Sequence, residues 1–168
     1  MIRPVTVDDA EELCALYRAN RDFLVRFEPT REESFYTVPG QRGRLEHHVH
    51  DAANGEGWRF AIMDDGAIAG TINVGDVIRG PLQLANIGYF VDRARNGRGL
   101  ATGAVADVID FAFGELDLHR LEAGTLPDNH ASQRVLQKNG FERFGLARKL
   151  LLIGGTWHDH VLFELLND

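Results

Sequence analysis

Apolar residues recur at helical spacing at Ala10, Leu13, Leu16 and Tyr17, with Cys14 beside them. This stripe predicts a first helix, with Thr6 as N-cap and Asp8 and Asp9 in its first turn, where the helix dipole favours acids. From Asn20 to Pro39 the periodicity is lost. Phe23, Leu24, Phe27, Phe35 and Tyr36 stand among charges between Pro29 and Pro39, a pattern that fits either a groove lining or a loop pinned to the core. A second helix is predicted from about Gln41 to Ala53, stopped by Asn54-Gly55-Glu56-Gly57. Two β-forming runs, Trp58 to Met63 and Ala67 to Val74, flank Asp64-Asp65-Gly66, which signals a hairpin. Arg79-Gly80-Pro81 then turns the chain into a strand from Leu84 to Val91.

Arg93-Ala94-Arg95-Asn96-Gly97-Arg98-Gly99 punctuates the end of that strand, and Leu100 starts a helical pattern through Val105, Val108, Ile109, Ala112 and Phe113, which Gly114 ends or interrupts. A strand feeding a helix through glycines aims unpaired backbone N–H groups, and the positive end of the dipole, at one spot that suits an anion. Arg95 and Arg98 add charge beside it. A P-loop would need a Lys-Ser or Lys-Thr pair after its last glycine, and none follows. Leu118 to Leu126 reads as a strand lying parallel to the first through a right-handed crossover. Pro127-Asp128-Asn129 opens a short helix that closes at Asn139-Gly140. Leu146 to Ile153, Gly154-Gly155 and His158 to Leu165 form a last hairpin. The pattern is α/β with a mixed sheet in one domain, residues 1–168.

Composition narrows the function. With 44% hydrophobic residues over 168 positions the chain can bury a substantial core. Its 18 basic and 25 acidic residues give a formal charge of −7, which argues against a general nucleic-acid binder and suits a basic partner. Cys14 stands alone, which excludes an internal disulfide and a cysteine zinc cluster. Met1-Ile2-Arg3-Pro4 has no apolar leader, so the expected compartment is the cytoplasm. His47, His48 and His50 are expected to face water. His158 and His160 share a strand face, with Asp159 on the other, and two histidines alone do not predict a metal site. Trp157 is expected to pack at the last hairpin, whose edge suits a homodimer.

The order of these elements, with Arg98-Gly99-Leu100-Ala101 after the central strand and Asn129-His130-Ala131-Ser132 before Asn139-Gly140-Phe141, resembles the GNAT superfamily of N-acetyltransferases. The family's Gln/Arg-x-x-Gly-x-Gly/Ala turn matches Asn96 to Ala101, with Asn96 in the first place. Asn20 to Leu24, Phe27-Glu28-Pro29, Val77 to Gly80 and Gly155 to Val161 are similar to the RimJ side of the RimJ/RimL branch, the ribosomal-protein-alanine N-acetyltransferases. The resemblance implies a mostly antiparallel twisted sheet, splayed between two central parallel strands and flanked by helices.

It also implies acetyl-CoA as acetyl donor and no metal. The pyrophosphate is expected on the amides of Gly97, Arg98, Gly99, Leu100, Ala101 and Thr102, the pantetheine arm along Tyr89, Phe90 and Val91, with further contacts from Asn129 and Ser132. The implied reaction is direct attack of an amine on the thioester. An α-amine, with a pKa of about 8 against about 10.4 for lysine, is already partly neutral at working pH and needs modest base help, from Glu28, Tyr89 or a histidine through water. Many GNAT enzymes place a tyrosine seven positions after the residue matched by Asn129. This chain has Leu136 there, which leaves Ser132 as candidate thiolate donor and the Val91 amide as candidate oxyanion donor. Asn20, Phe23, Phe27 and Glu28 are the candidates for the acceptor groove. The acceptor implied by the branch is the N-terminal alanine of a small-subunit ribosomal protein; a small-molecule amine, or acyl-CoA binding without turnover, are the alternatives.

Overall fold

The computed structural model describes residues 1–168. Seven strands, β1 (Ile2–Pro4), β2 (Trp58–Asp64), β3 (Ala67–Ile78), β4 (Leu84–Val91), β5 (Arg120–Thr125), β6 (Glu142–Ile153) and β7 (Thr156–Leu166), form one sheet in the order β1-β2-β3-β4-β5-β7-β6. Only β4 and β5 run parallel. The helices are α1 (Ala10–Ala19), α2 (Arg21–Leu24), α3 (Val38–Asn54), α4 (Leu100–Asp110) and α5 (His130–Lys138). The architecture is α/β, a mixed sheet covered by helices, with the element order that the resemblance implies.

Strand alternation assigns residues to the two faces of the sheet. Phe60, Ile62, Ile72, Val74, Ile87 and Val91 pack with Leu100, Val105 and Val108 of α4 in one core. Their neighbours Ala61 and Phe90 point the other way, into a second core with Leu13, Leu16 and Tyr17 of α1 and Leu45 of α3. Cys14 lies buried on this side as a small apolar side chain.

Hairpin chemistry behaves as the sequence implies. Asp65 and Gly66 both take positive φ (50° and 81°), as do Gly154 and Gly155 (56° and 79°), the geometry of two-residue turns that match strand twist. Several boundaries move. The first helix is entered through a 3-10 turn at Val7–Asp9, with the Thr6 amide donating to the Asp9 carboxylate at 2.8 Å. α3 starts at Val38 rather than Gln41. Thr37 caps it by accepting from Gly40 N at 3.1 Å, and Pro39 sits in the first turn, where no amide is needed. β6 starts at Glu142 rather than Leu146, because a register shift at Gly145 hides the alternation. Gly114 does not stop the helix after α4; the chain passes through it in one wide π-helical turn, Phe111–Glu115. The short β1 had no pattern to announce it, and Trp157 is 56% exposed rather than packed. Edge strand β6 leaves Phe144, Leu146, Leu150 and Leu152 in contact with water.

Candidate active site

The only parallel pair in the sheet comes apart. β4 and β5 are in register at Leu84↔Arg120, Ala85↔Leu121 and Asn86↔Glu122, and no pairing follows although β4 continues to Val91 and β5 to Thr125. On the other side β4 stays paired with β3 up to Gly70↔Val91, and Asp92 N donates to the Ala69 carbonyl at 2.7 Å. In an antiparallel ladder alternate residues turn their backbone groups to the same neighbour. If Gly88, Phe90 and Asp92 face β3, then Ile87, Tyr89 and Val91 direct their N–H and C=O groups into the gap that β5 has left. Buried backbone groups need partners, so this edge is built to receive an extended ligand.

The gap opens into a cleft of about 620 Å³. Its donor end is walled by Tyr89, Phe90 and Val91 and by the turn residues Gly97, Gly99, Leu100, Ala101 and Thr102. Gly97 and Gly99 both hold φ at 79°, a conformation that L side chains rarely adopt, and Gly99 is the N-cap of α4. The turn itself is anchored by Asn20, which was expected in the acceptor groove. Asn20 is instead 1% exposed and outside the cleft wall: its Nδ2 donates to the Leu16 carbonyl (2.9 Å) and Asp92 Oδ1 (3.1 Å), and its Oδ1 accepts from Arg93 N (2.9 Å).

The charge expected from the Arg98 side chain is corrected: it turns away from the cleft onto Asp64 and Asp65, while its amide stays in the turn. Arg95 lines the cleft, with Nη1 donating to the same Asp64 carboxylate at 3.0 Å. The largely buried Asp64 side chain draws both because its charge must be paired. Arg134 and Lys138, one turn apart on α5, line the cleft as well.

Ser132 and Tyr89 meet at the centre. Asn129 caps α5, its Oδ1 accepting from Ser132 N at 3.2 Å, which fixes the first turn. Ser132 Oγ lies 2.9 Å from the Tyr89 hydroxyl, which is also 3.2 Å from the Ser132 carbonyl. Burial pushes the Tyr89 phenol up to about 12, against the opposing pull of its bond to Ser132. Tyr89 is therefore a protonated donor at neutral pH and not a base. Leu136 is fully buried in the core, and the phenol beside Ser132 is that of Tyr89 on β4.

The acceptor end is lined by Phe23, Phe27 and Glu28, with the two rings edge to face at 5.4 Å. Arg26 Nη2 reaches Asp128 at 2.8 Å and so ties this loop to the start of α5 across the mouth. The sequence reading missed the floor. Arg59, Asn73 and Gly88 lie in one cross-strand row, Thr71 stands next to it, and all four line the cleft. The available signal was a pair of polar residues, Thr71 and Asn73, two apart within the otherwise apolar run from Ala67 to Val74. His160 of β7 is 6% exposed and lines the same cleft. Its Nδ1 is 3.3 Å from the His158 carbonyl, a contact that suits an Nδ1–H donor, and its Nε2 has no protein partner. His48 is not simply in water either: burial first, then Arg59 and Arg44, pull it down to about 4.

The family described as acetyltransferase (GNAT) domain matches residues 1–142. Probable N-acetyltransferase YjcK of Bacillus subtilis is 46% identical over 168 residues, covering 99% of this chain and 93% of that protein. The [ribosomal protein uS5]-alanine N-acetyltransferase of Escherichia coli is 34% identical, covering 98% and 86%. Among solved structures, the ribosomal-protein-S5-alanine acetyltransferase of Vibrio fischeri superimposes with a TM-score of 0.96 at 32% identity, covering 99% of this chain and 92% of that one. Mycobacterium smegmatis RimJ in complex with CoA-disulfide gives 0.94 at 33%, covering 98% and 80%. A parted parallel pair, a glycine turn at the head of a helix, and a family match over most of the length agree: the chain belongs to the GNAT acetyltransferases and is an N-acetyltransferase.

Proposed function

We propose that this enzyme acetylates the α-amine of a protein N-terminus, and that its acceptor is the N-terminal alanine of a small-subunit ribosomal protein. The observation that carries the reading is the Ser132–Tyr89 pair at the point where the open backbone edge of β4 meets the acceptor end of the cleft. The names of the Escherichia coli and Vibrio fischeri relatives support the choice of acceptor.

The residues fit acetyl-CoA: the free backbone edge of Tyr89 and Val91 suits an extended amide-bearing arm, and the amides after Gly97 and Gly99, with Arg134 and Lys138, suit phosphates. Acetyl-CoA brings the activated thioester. Val91 N–H offers a hydrogen bond to its carbonyl oxygen. His160 Nε2, directly or through one water, takes the proton that the amine sheds as the C–N bond forms. Ser132 Oγ–H gives a proton to sulfur as the C–S bond breaks, and the Tyr89 hydroxyl restores that proton to Ser132 Oγ. The proton His160 took from the amine returns through water to the Tyr89 oxygen, so that the net change is amine N–H to thiol S–H.

The test is thiol release from acetyl-CoA with peptides beginning in alanine, serine or acetyl-alanine, beside a panel of small amines, for the wild type and His160→Gln. Turnover confined to free peptide termini is expected, with kcat of the variant down about tenfold or more and the acetyl-CoA KM almost unchanged. Turnover of small amines alone would replace the acceptor. An unchanged kcat would remove His160 from the role.

A further inference from the structure

The acceptor end of the cleft holds more positive charge than its carboxylates balance. Arg59 crosses the floor from β2 and spends Nη2 on two neutral oxygens, the Tyr17 hydroxyl at 2.6 Å and Thr71 Oγ1 at 2.9 Å. Arg31 lies in the same wall. Its Nη2 reaches Glu28 only at 3.4 Å, and its Nε is buried with no partner. Arg44 of α3 and Arg31 both stack on Phe35, 5.0 and 4.9 Å from the ring centre. They are close enough that Arg44 is held below its ordinary value by burial, then by Arg31 and Arg59, with Glu28 the one carboxylate acting against this.

Three guanidiniums thus stand near one another in a half-buried setting, with Glu28 in contact with Arg31 alone. A cation taken out of water is costly unless an anion accompanies it. The hollow at Arg18 and Arg21 on the outer surface shows the ordinary solution: Arg21 is paired with Glu33, and Arg18 Nε ends on the Tyr36 carbonyl at 2.6 Å. At the cleft the missing partner has to arrive from outside, and Asn73, in register with Arg59, adds an amide to the same floor.

We infer that the acceptor carries an anionic group, carboxylate or phosphate, close to its amine, and that Arg31 and Arg59 hold it; in a peptide acceptor this is an acidic side chain just after the first residue. The inference rests on amine acetylation in this cleft, as proposed above, and adds the charge of the substrate. It runs against the formal charge of −7, which by itself suits a basic partner. The local field near the bound group outweighs distant charges, which salt screens within about 8–10 Å.

The experiment compares alanine-started peptides that differ only at the second and third residues, Glu-Glu, Gln-Gln and Lys-Lys, together with aminoalkyl carboxylates, aminoalkyl phosphates and neutral amines of equal length. Equilibrium binding to the coenzyme A complex is read by calorimetry, and kcat/KM by thiol release. The Glu-Glu peptide is expected to bind and react about tenfold better than Lys-Lys, with Gln-Gln between. The gap should shrink in 0.5 M salt and in Arg31→Gln, and survive in Arg31→Lys. Peptide binding in which Glu-Glu is equal to or weaker than Lys-Lys, absence of binding by every anionic acceptor, or a gap indifferent to both salt and Arg31→Gln would overturn it. Binding that favours anionic small amines over neutral ones, with all peptides silent, would uphold the inference and reject the peptide acceptor. Selective binding of Glu-Glu without turnover would uphold the inference and reject the α-amine chemistry.

Discussion

The two ends of the cleft are built on different principles. The donor end is mostly backbone: the released edge of β4, two glycines at φ 79° and the first turn of α4, all within residues 87–102. The acceptor end is mostly side chains, brought from Phe23–Arg31, Arg59 on β2, Thr71 and Asn73 on β3, and His160 on β7. Backbone recognition depends on local conformation and leaves side chains free to vary. Side-chain recognition depends on which distant segments share a wall. The donor end can therefore serve one cofactor across a family, while the acceptor end alters with a few substitutions.

Four perturbations probe this contrast, in decreasing order of expected effect. Ser132→Ala touches the junction of the two ends: kcat should fall about a hundredfold or more, with the acetyl-CoA KM almost unchanged, in steady-state thiol release. A raised acetyl-CoA KM with kcat unchanged would assign Ser132 to binding alone. Gly99→Val strains the donor end only. A β-branched residue at that φ costs roughly 1–3 kcal/mol, so acetyl-CoA affinity measured by calorimetry should drop by about 5- to 150-fold, with peptide binding retained.

Asn20→Ala asks whether the turn is positioned from α1. Removing three hydrogen bonds from a residue buried to 1% should cost about 1–3 kcal/mol in urea unfolding and weaken acetyl-CoA more than the acceptor. The opposite order would return Asn20 to the acceptor groove.

The smallest effect concerns His48 on α3, outside the cleft wall and close to Arg59 and Arg44. Its folded value of about 4 lies below the ordinary 6.5, through burial, Arg59 and Arg44, with Asp51 opposing and His47 adding to the shift. The stability it contributes is whole above pH 6.5 and is lost as pH falls toward 4, because the unfolded chain takes up the proton first. Screening of a partly exposed ring reduces this to roughly 1–2 kcal/mol. The fall in urea midpoint between pH 6.5 and 4 should be smaller in His48→Gln, and an identical fall in both proteins would deny the shift.

The donor end could be read from the chain because its determinants are contiguous. Glycines between a β-forming run and an amphipathic helix specify their own local geometry, and Asn129 with Ser132 three residues later is a helix cap visible in one dimension. Even there, Arg98 misled, since its preference for the buried Asp64 depends on a hairpin 34 residues away in the chain. The pairing of Tyr89 with Ser132, 43 residues apart, had no local signature.

What the sequence by itself determined is the order of elements, the two-faced alternation of the strands, the αL turns and the anion-binding head of α4, because each follows from the conformational preferences of neighbouring residues. Only the tertiary structure decided where β4 and β5 part, that Asn20 anchors the turn instead of lining the groove, and that Arg31, Arg44 and Arg59 gather with Glu28 paired to Arg31 alone. Charge balance and burial are sums over neighbours in space, and those neighbours are chosen by the packing of the sheet against α1 and α3.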